Sequence, residues 1–208
     1  MTLIYHIAHI DRLASILRSG YLYSDSAMQG REGRGTDIGM PDVKERRRSK
    51  PIPCHEGLNV GDCVPFYFCP RSVMLYILHK GNHGGLKYVG GERPIIHLEF
   101  DAQDVAEWAG RNGLRVSFTD ENAASATAIF KADVSQIPGL DWNAINATDW
   151  RGRMREKQAE FLVENRVPSF LVQRIGVIDS DVCEAVRGVL WEAGLSDLPV
   201  DVVPEWYY

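Results

Sequence analysis

Residues 153–167 read RMREKQAEFLVENRV, and in this stretch Glu160 stands directly before three apolar residues. A short apolar run of this kind is typical of a buried strand, although a helix stays possible at this length. A carboxylate at the entrance of such a run is expensive to bury unless it is paired or used in chemistry. The stretch therefore predicts a strand that begins at a salt-bridged or functional glutamate, next to a cluster of basic side chains.

Basic side chains concentrate in two places, although the formal net charge of the chain is −5. Residues 31–50 carry an excess of basic over acidic side chains, and so do residues 151–157. The acidic whole excludes a generic basic coat for nucleic acid, so the two patches predict a local site for a polyanion. Two solvated loops are the alternative interpretation.

The bulk composition is that of an ordinary globular protein, with 208 residues, 45% apolar and 25% charged. We expect a single domain over residues 1–208. The sequence lacks an 18-residue apolar run and a signal peptide, which predicts a cytoplasmic protein without a membrane partner. A zinc site from Cys54, His55, Cys63 and Cys69 is an alternative, but its spacing matches no common pattern, so we expect reduced cysteines and no metal.

Strand-like and helix-like segments alternate without a βαβ rhythm, which favours an α+β fold. Strands are predicted at residues 3–7, 21–24, 64–69, 95–100, 115–120, 158–163, 170–179 and 199–206. Helices are predicted from Asp11 as N-cap to Gly20 as stop, over 42–48, from Ser72 as N-cap to Gly81, and over 122–130 and 180–194. The Gly-rich residues 28–41 are expected to stay mobile or to cover a ligand.

Three sets of side chains suit one reaction. His6, near a strand end, can bind a ribose hydroxyl or a metal, unless it is a hydrogen-bonded core histidine. An aromatic ring in Phe66–Tyr67–Phe68 can stack on a flat heterocycle, unless all three rings pack in the core. With Glu160 added, the set suits cleavage of the N-glycosidic bond of NAD, because a carboxylate stabilises the oxocarbenium-like sugar.

The sequence also resembles a known family over nearly its whole length. The matching segments are IYHIAHIDRLASIL, DVKERR, VPFYFCPRSVMLY, GGERPIIHLEF, FTDENAASA, LDWNAINATDW and KQAEFLV, in this order. They are similar to those of the DarT family of bacterial DNA ADP-ribosyltransferase toxins, with the thymine-modifying branch the most similar. The resemblance implies an ADP-ribosyltransferase-like fold with a split central β-structure flanked by helices. It also implies transfer of ADP-ribose from NAD to single-stranded DNA, and a macrodomain antitoxin that removes the modification.

The resemblance implies roles for individual residues as well. Glu160 falls on the family's catalytic acid, and Arg47 on its essential arginine, with Arg46 as the neighbouring possibility. Contacts with NAD are implied for His6, Ala8, His9, Gly20, Leu22, Arg47, Tyr67 and Ser72. Contacts with DNA are expected for Arg46, Arg48, Asn122, Trp150, Arg151, Arg153 and Arg155, and residues 149–157 are expected to carry the substrate specificity. Ala8 stands where the family often has threonine, and Asn122 where it often has histidine.

Other functions stay open at this point. The acceptor of ADP-ribose can be guanine, a protein or RNA, because phosphate contacts position a strand without reading its bases. A transferase fold without activity that only binds nucleic acid is a second alternative. A metal hydrolase that uses His6, His9 and Asp11 is a third.

Overall fold

The apolar run after Glu160 is a strand, as predicted, and it lies inside an eight-stranded sheet. The structure is a computed structural model that describes residues 1–31 and 35–208. Over these ranges the strands are β1 Leu3–His9, β2 Tyr21–Tyr23, β3 Cys63–Tyr67, β4 Ile95–Asp101, β5 Val116–Thr119, β6 Phe130–Lys131, β7 Glu160–Glu164, β8 Arg166–Pro168, β9 Arg174–Val177 and β10 Val200–Val202. The helices are α1 Leu13–Ser19, α2 Asp25–Met28, α3 Pro41–Ser49, α4 Val73–Lys80, α5 Ala102–Arg111, α6 Trp142–Ile145 and α7 Ser180–Glu192.

The large sheet is split near its middle. Its strand order is β10-β9-β4-β1-β3-β7-β5-β6, and β2 and β8 form a separate ribbon. Strands β1 and β4 are paired from end to end, and so are β3 and β7, whereas β1 and β3 share only the pair Tyr5 and Tyr67. The strands separate beyond that pair, which confirms the α+β fold with a split central β-structure.

Helices cover the sheet according to their apolar spacing. Helices α1, α5 and α7 contribute Leu13, Val105 and Val186 to the main core, together with Phe66 and Phe161 of the sheet. Helix α4 packs on a second core that also contains Tyr5 and Ile7 of β1 and Ile95 of β4. Because side chains alternate along a strand, β7 places Phe161 in the main core and Glu160 on the opposite face. The strand can therefore hold a polar site on one face without weakening the core on the other.

Several predicted boundaries and caps agree with the structure. Gly20 ends α1 in the left-handed conformation, with φ of 75°. The Ser72 hydroxyl accepts a hydrogen bond from the Leu75 amide at 3.1 Å, and α4 ends at Gly81. The helix predicted over 42–48 is α3, which begins at Pro41, a residue suited to a first helical turn.

The helix predicted over residues 122–130 is wrong, because this segment forms turns. The Asn122 side chain accepts the Ala124 amide at 2.9 Å, and the Asn122 carbonyl accepts the Ser125 amide at 2.8 Å. Side chains of this kind compete with the helical hydrogen bonds of their own backbone. The Ala123 amide is also used elsewhere, since it bonds to Glu160 at 2.9 Å.

Asp11 is also not the N-cap that was predicted. A 3-10 turn, Ile10–Arg12, precedes α1, and Asp11 instead binds the amide and hydroxyl of Thr36 at 2.6–3.1 Å. Residues 35–40 of the Gly-rich loop are therefore attached to the chain just after β1, and Ile38 within this segment is buried. Residues 32–34, which the prediction of a mobile or covering loop includes, lie outside the described residues.

Three further elements differ from the predictions. Helix α5, whose N-cap is Asp101, was not predicted. The strand predicted over 170–179 is confined to Arg174–Val177, after a 3-10 turn at Ser169–Leu171. The segment 140–150, for which no helix or strand was predicted, contains the short helix α6. None of the helices in the described part of the chain has the length and apolar character needed to span a membrane.

Candidate active site

Glu160 opens β7 and is almost fully buried, with 1% of its surface exposed. Its carboxylate accepts three hydrogen bonds from the residues that the structure describes. Arg47 donates Nη1 to Oε1 at 3.0 Å and Nη2 to Oε2 at 2.8 Å, and the Ala123 amide donates to Oε1 at 2.9 Å. The buried acid is thus held in one orientation by a charge-assisted pair and one backbone donor.

Arg47 reaches this carboxylate from the last turn of α3. Burial alone would lower the pKa of its guanidinium, but the neighbouring Glu160 carboxylate raises that pKa and keeps the group charged. Arg46, the other arginine considered at this place, is exposed to solvent. The helix therefore presents Arg47, and not Arg46, to Glu160.

Tyr67 lies directly opposite Glu160 in the antiparallel pair of β3 and β7. Opposite residues project to the same face of a sheet, so the phenol and the carboxylate are neighbours. Burial and the nearby Glu160 charge both raise the pKa of the Tyr67 hydroxyl, which stays protonated. Ser72 follows shortly after Tyr67 but is fully buried, with its hydroxyl at the N-cap of α4.

His6 lies in β1, close to the seam where the sheet is split. Its Nδ1 is 2.8 Å from the Pro65 carbonyl oxygen. Burial lowers the pKa of His6 to about 4, so the imidazole is neutral near pH 7. A neutral ring that donates from Nδ1 to a carbonyl leaves Nε2 as an acceptor. His6 is therefore suited to receive a hydrogen bond from a hydroxyl group.

A cleft of about 120 Å³ begins at His6. Two arginines, several hydroxyl groups and two tyrosines line it together with apolar side chains: His6, Arg12, Ser15, Ile16, Ser19, Tyr21, Leu22, Tyr23, Met28 and Arg31. Such a set suits the phosphates, hydroxyls and base of a nucleotide. Of the other residues expected at NAD, Gly20 lies between lining residues, Ala8 is buried in the core, and His9 Nδ1 lies 3.0 Å from Asp11 Oδ1.

The basic side chains predicted for DNA fall into two groups. All five arginines are exposed, and Arg46 and Arg153 form no ion pair with the residues that the structure describes. Three others are in ion pairs: Arg48 with Asp25 at 2.6 Å, Arg151 with Asp149 at 2.6 Å and Arg155 with Glu121 at 2.8 Å. Lys157, counted with the second basic patch, is instead buried and donates to the Ile145 carbonyl at 2.7 Å. The second patch is therefore less open to a polyanion than its sequence indicates.

The two uncharged residues predicted for DNA are held by neighbours. The Trp150 ring meets the Tyr76 ring edge to face, with centroids 5.3 Å apart. The Asn122 amide group donates to the Gln158 side chain at 3.2 Å. Asn122 also belongs to the turn that contains Ala123, so it is adjacent in the chain to the residue whose amide bonds to Glu160.

Sequence analysis missed two participants of this site, the Ala123 amide and the buried Glu121. A backbone donor has no signature in the sequence, and Glu121 stands between the strand predicted to residue 120 and the helix predicted from residue 122, where no role was assigned to it. Hydrogen bonds from Arg155 and Thr127 lower the pKa of Glu121, although burial acts in the opposite direction. Within the described ranges, no group of three or more His, Cys, Asp or Glu side chains is arranged to hold a metal ion, so the zinc and metal-hydrolase alternatives find no support.

Solved structures define the class of this fold and site. The structure of Thermus sp. 2.9 DarT in complex with ADP-ribosylated ssDNA has a TM-score of 0.88 and 36% identity, over 100% of this chain and 96% of that one. The structure of Thermus sp. 2.9 DarT in complex with NAD+ has a TM-score of 0.84 and 36% identity, over 100% and 98%. The class is that of the NAD-dependent DNA ADP-ribosyltransferases, which confirms the predicted enzyme class and NAD as co-substrate.

The family follows from the sequence relatives. The model of the DarT family, described as ssDNA thymidine ADP-ribosyltransferase, matches residues 5–208. A DNA ADP-ribosyl transferase of Thermus aquaticus is 39% identical over 210 residues, which cover 100% of this chain and 89% of the relative. One from Thermus sp. strain 2.9 is 38% identical over 211 residues, covering 100% and 96%. The chain belongs to the DarT family, and the resemblance found in its motifs is confirmed.

Proposed function

We propose that this protein transfers ADP-ribose from NAD to a thymine base of single-stranded DNA, with Glu160 as the reacting carboxylate. The observation that carries the proposal is the buried Glu160 held by Arg47 and by the Ala123 amide, with Tyr67 beside it. The description of the family, which names thymidine, supports the choice of base.

The reaction requires a carboxylate that is close both to the positive charge developing on the sugar and to the base nitrogen that gives up a proton. The bond from the sugar C1′ to nicotinamide breaks, nicotinamide leaves with the bonding electrons, and positive charge develops on the sugar. A base nitrogen then bonds to C1′ and loses its proton to Glu160. Oε1 accepts from both Arg47 and Ala123, whereas Oε2 accepts from Arg47 alone among the described residues. Oε2 therefore has the lone pair that receives the proton.

The neighbouring residues would bind NAD around this carboxylate. The His6 Nε2 would accept a ribose hydroxyl, and the protonated Tyr67 ring would stack on nicotinamide. Arg12 and Arg31 in the cleft supply positive charge for the pyrophosphate. Of the other residues expected at NAD, Leu22 lines the cleft and Gly20 lies beside it. Ala8 and His9 at the end of β1, and Ser72 at the start of α4, would contribute by fixing the backbone conformation around the cofactor.

Single-stranded DNA would contact Arg46 and Arg153, and also Arg48 and Arg151, which are exposed although each is in an ion pair. Its bases are unstacked, so they reach the carboxylate without the free-energy cost of flipping out of a duplex. The exposed arginines would hold phosphates, and Trp150 would stack near the target base. Asn122 would contribute a hydrogen bond but no proton transfer.

We also infer the biological setting from the family resemblance. The protein would act as the toxin of a toxin–antitoxin pair, in one domain over residues 1–208, in the cytoplasm. Its partner would be a macrodomain protein that removes ADP-ribose from DNA. An unopposed enzyme of this type modifies the template bases themselves, which is the reason such an antitoxin is needed.

The test compares the wild-type protein with Glu160→Gln and Glu164→Gln. Each is incubated with NAD and short single strands, one set with thymine and one without, and the mass of the DNA is measured. Glu164 ends the same strand in a pair with Arg115, with an N–O distance of 2.8 Å, so its substitution is a matched control. We expect one ADP-ribose on thymine-containing strands only, for the wild type and Glu164→Gln, and none for Glu160→Gln.

Other results would redirect the proposal. Modification of strands that lack thymine would move the target to guanine or another base. Consumption of NAD without a change in DNA mass would indicate a protein or RNA acceptor. Full DNA modification by Glu160→Gln would show that the carboxylate is not the reacting group.

A further inference from the structure

Glu121 is a buried carboxylate that the proposed reaction does not use. Only 4% of its surface is exposed. It accepts Arg155 Nη2 at 2.8 Å and Nε at 3.1 Å, and the Thr127 hydroxyl at 2.6 Å. Arg155 belongs to residues 149–157, the loop expected to carry substrate specificity. One acid therefore connects that loop to the turn at residues 120–128.

The same turn holds both donors of Glu160 in place. Ala123, two residues after Glu121, donates its amide to Glu160 Oε1 at 2.9 Å. Lys50, which caps the end of α3, donates to the Ser125 carbonyl at 2.6 Å, and α3 carries Arg47. A shift of the turn by 1 Å would lengthen the Ala123 bond beyond hydrogen-bonding range and turn the carboxylate.

A second set of contacts connects the turn to the strand and the loop. The Glu160 amide donates to the Thr119 hydroxyl at 3.2 Å, and that hydroxyl donates to the Glu121 carbonyl at 2.6 Å. Asn122 donates to Gln158, which lies two residues before Glu160. The loop, the turn and the start of β7 are thus held together by neighbouring hydrogen bonds, in addition to the apolar cluster that contains Ala123 of the turn and Leu162 of β7.

We propose that Glu121 and Arg155 are positioning residues that fix the substrate loop and the Glu160 carboxylate relative to each other. In this proposal, which rests on the proposed DNA transfer, Arg155 is not a phosphate contact. Its guanidinium is engaged by Glu121 through two nitrogens, a bidentate geometry that is stronger than a single contact. Arg153, exposed in the same loop, is the phosphate contact by contrast.

The experiment uses Glu121→Ala, Arg155→Ala and the double variant, with Arg153→Ala for comparison. The kcat and KM for a modifiable oligonucleotide are measured at saturating NAD, and oligonucleotide binding is measured over a range of salt concentrations. We expect each single substitution at the pair to lower kcat on the order of 10- to 100-fold, as small misplacements of reacting groups do. The double variant should be no slower than the slower single variant, because both remove one interaction.

Salt dependence separates positioning from phosphate binding. A lost phosphate contact reduces the slope of log affinity against log salt by about 0.7 for a single strand. We expect that reduction for Arg153→Ala and an unchanged slope for Arg155→Ala. If a substitution by alanine prevents folding, Glu121→Gln and Arg155→Lys replace it, since glutamine keeps the shape of the acid, lysine keeps the positive charge, and both weaken the charge-assisted contact through two nitrogens.

Two results would overturn the proposal. One is a reduced salt slope for Arg155→Ala together with an unchanged kcat for Glu121→Ala. The other is a loss in the double variant equal to the product of the two single losses. The variants are assayed on an oligonucleotide that carries whichever base the wild-type protein modifies. A wrong target base would therefore appear in the reaction of the wild-type protein and would not affect the comparison of the variants.

Discussion

Removal of the Arg47 side-chain charge tests whether the Glu160 carboxylate depends on its partner. The side chains are 14% and 2% exposed respectively, so water does not replace a lost donor easily. In Arg47→Met the carboxylate keeps one of its three hydrogen bonds, the one from the Ala123 amide. Methionine retains most of the volume, so the change acts on charge more than on packing.

The expected loss is large for a single substitution. Breaking a buried ion pair on one side costs about 3–5 kcal/mol, because the remaining charge is buried without compensation. At about 2–4 °C per kcal/mol for a domain of this size, the melting temperature falls on the order of 6–20 °C. Such a loss is a substantial part of the roughly 5–15 kcal/mol that stabilises a domain.

Urea unfolding measures this loss in Arg47→Met, Glu160→Gln and the double variant. The double variant should be less destabilised than the sum of the two single variants, since glutamine carries no charge and still accepts the Ala123 amide. Arg115→Met is the control, because its partner Glu164 lies on the same strand as Glu160 but is 22% exposed, and a loss of about 1 kcal/mol is expected there. Equal losses for Arg47→Met and Arg115→Met, or losses that add fully in the double variant, would refute the reasoning.

Two further predictions concern pH and the position of α3. Burial lowers the pKa of His97 to about 4, below its unfolded value near 6.5. Between these two pH values the unfolded state binds more protons than the folded state, so the free energy of unfolding decreases as the pH falls from about 6.5 to about 4. His97→Gln should reduce the loss of unfolding free energy between pH 7 and pH 5 by roughly 2 kcal/mol, and an unchanged pH dependence would contradict the assignment. In Gly61→Ala the new Cβ would lie 2.7 Å from the Arg48 Cα, so α3 must shift at the position next to Arg47. We expect the free energy of unfolding in urea to fall by about 1–3 kcal/mol and kcat for DNA modification to be lower. Gly188→Ala, where the helix surface is open, should keep full activity, and equal kcat values for the two alanine variants would oppose this view.

Local patterns were sufficient for much of the fold. The Gly20 and Gly81 stops, the Ser72 cap and the strand after Glu160 depend on the conformations that a few adjacent residues allow. The helix predicted over 122–130 was wrong because the alanine-rich sequence favours a helix in isolation, whereas the segment forms turns in the structure. Its conformation is set instead by hydrogen bonds to Glu160, Arg155 and Lys50, which are distant in the sequence.

The candidate site, too, could be predicted from the sequence only in part. An acid at the entrance of an apolar strand, and the family motifs around it, predicted Glu160, Arg47, His6 and Tyr67 as site residues, and the structure places Arg47 and Tyr67 next to Glu160. Charge counting, however, included Arg155 and Lys157 in a basic patch for a polyanion, whereas Arg155 is paired with Glu121 and Lys157 is buried with its ammonium group on the Ile145 carbonyl.

The sequence by itself determined the class of the reaction, because residue types and motif order persist whatever the local contacts are. Only the tertiary structure decided which arginine meets the acid, which backbone amide completes its hydrogen bonds and which basic side chains are free to reach a substrate. Arg47 and Glu160 are 113 residues apart in the chain and 2.8 Å apart in space. Distances of this kind depend on how α3, the turn at 120–128 and β7 pack together, and no local pattern encodes that packing.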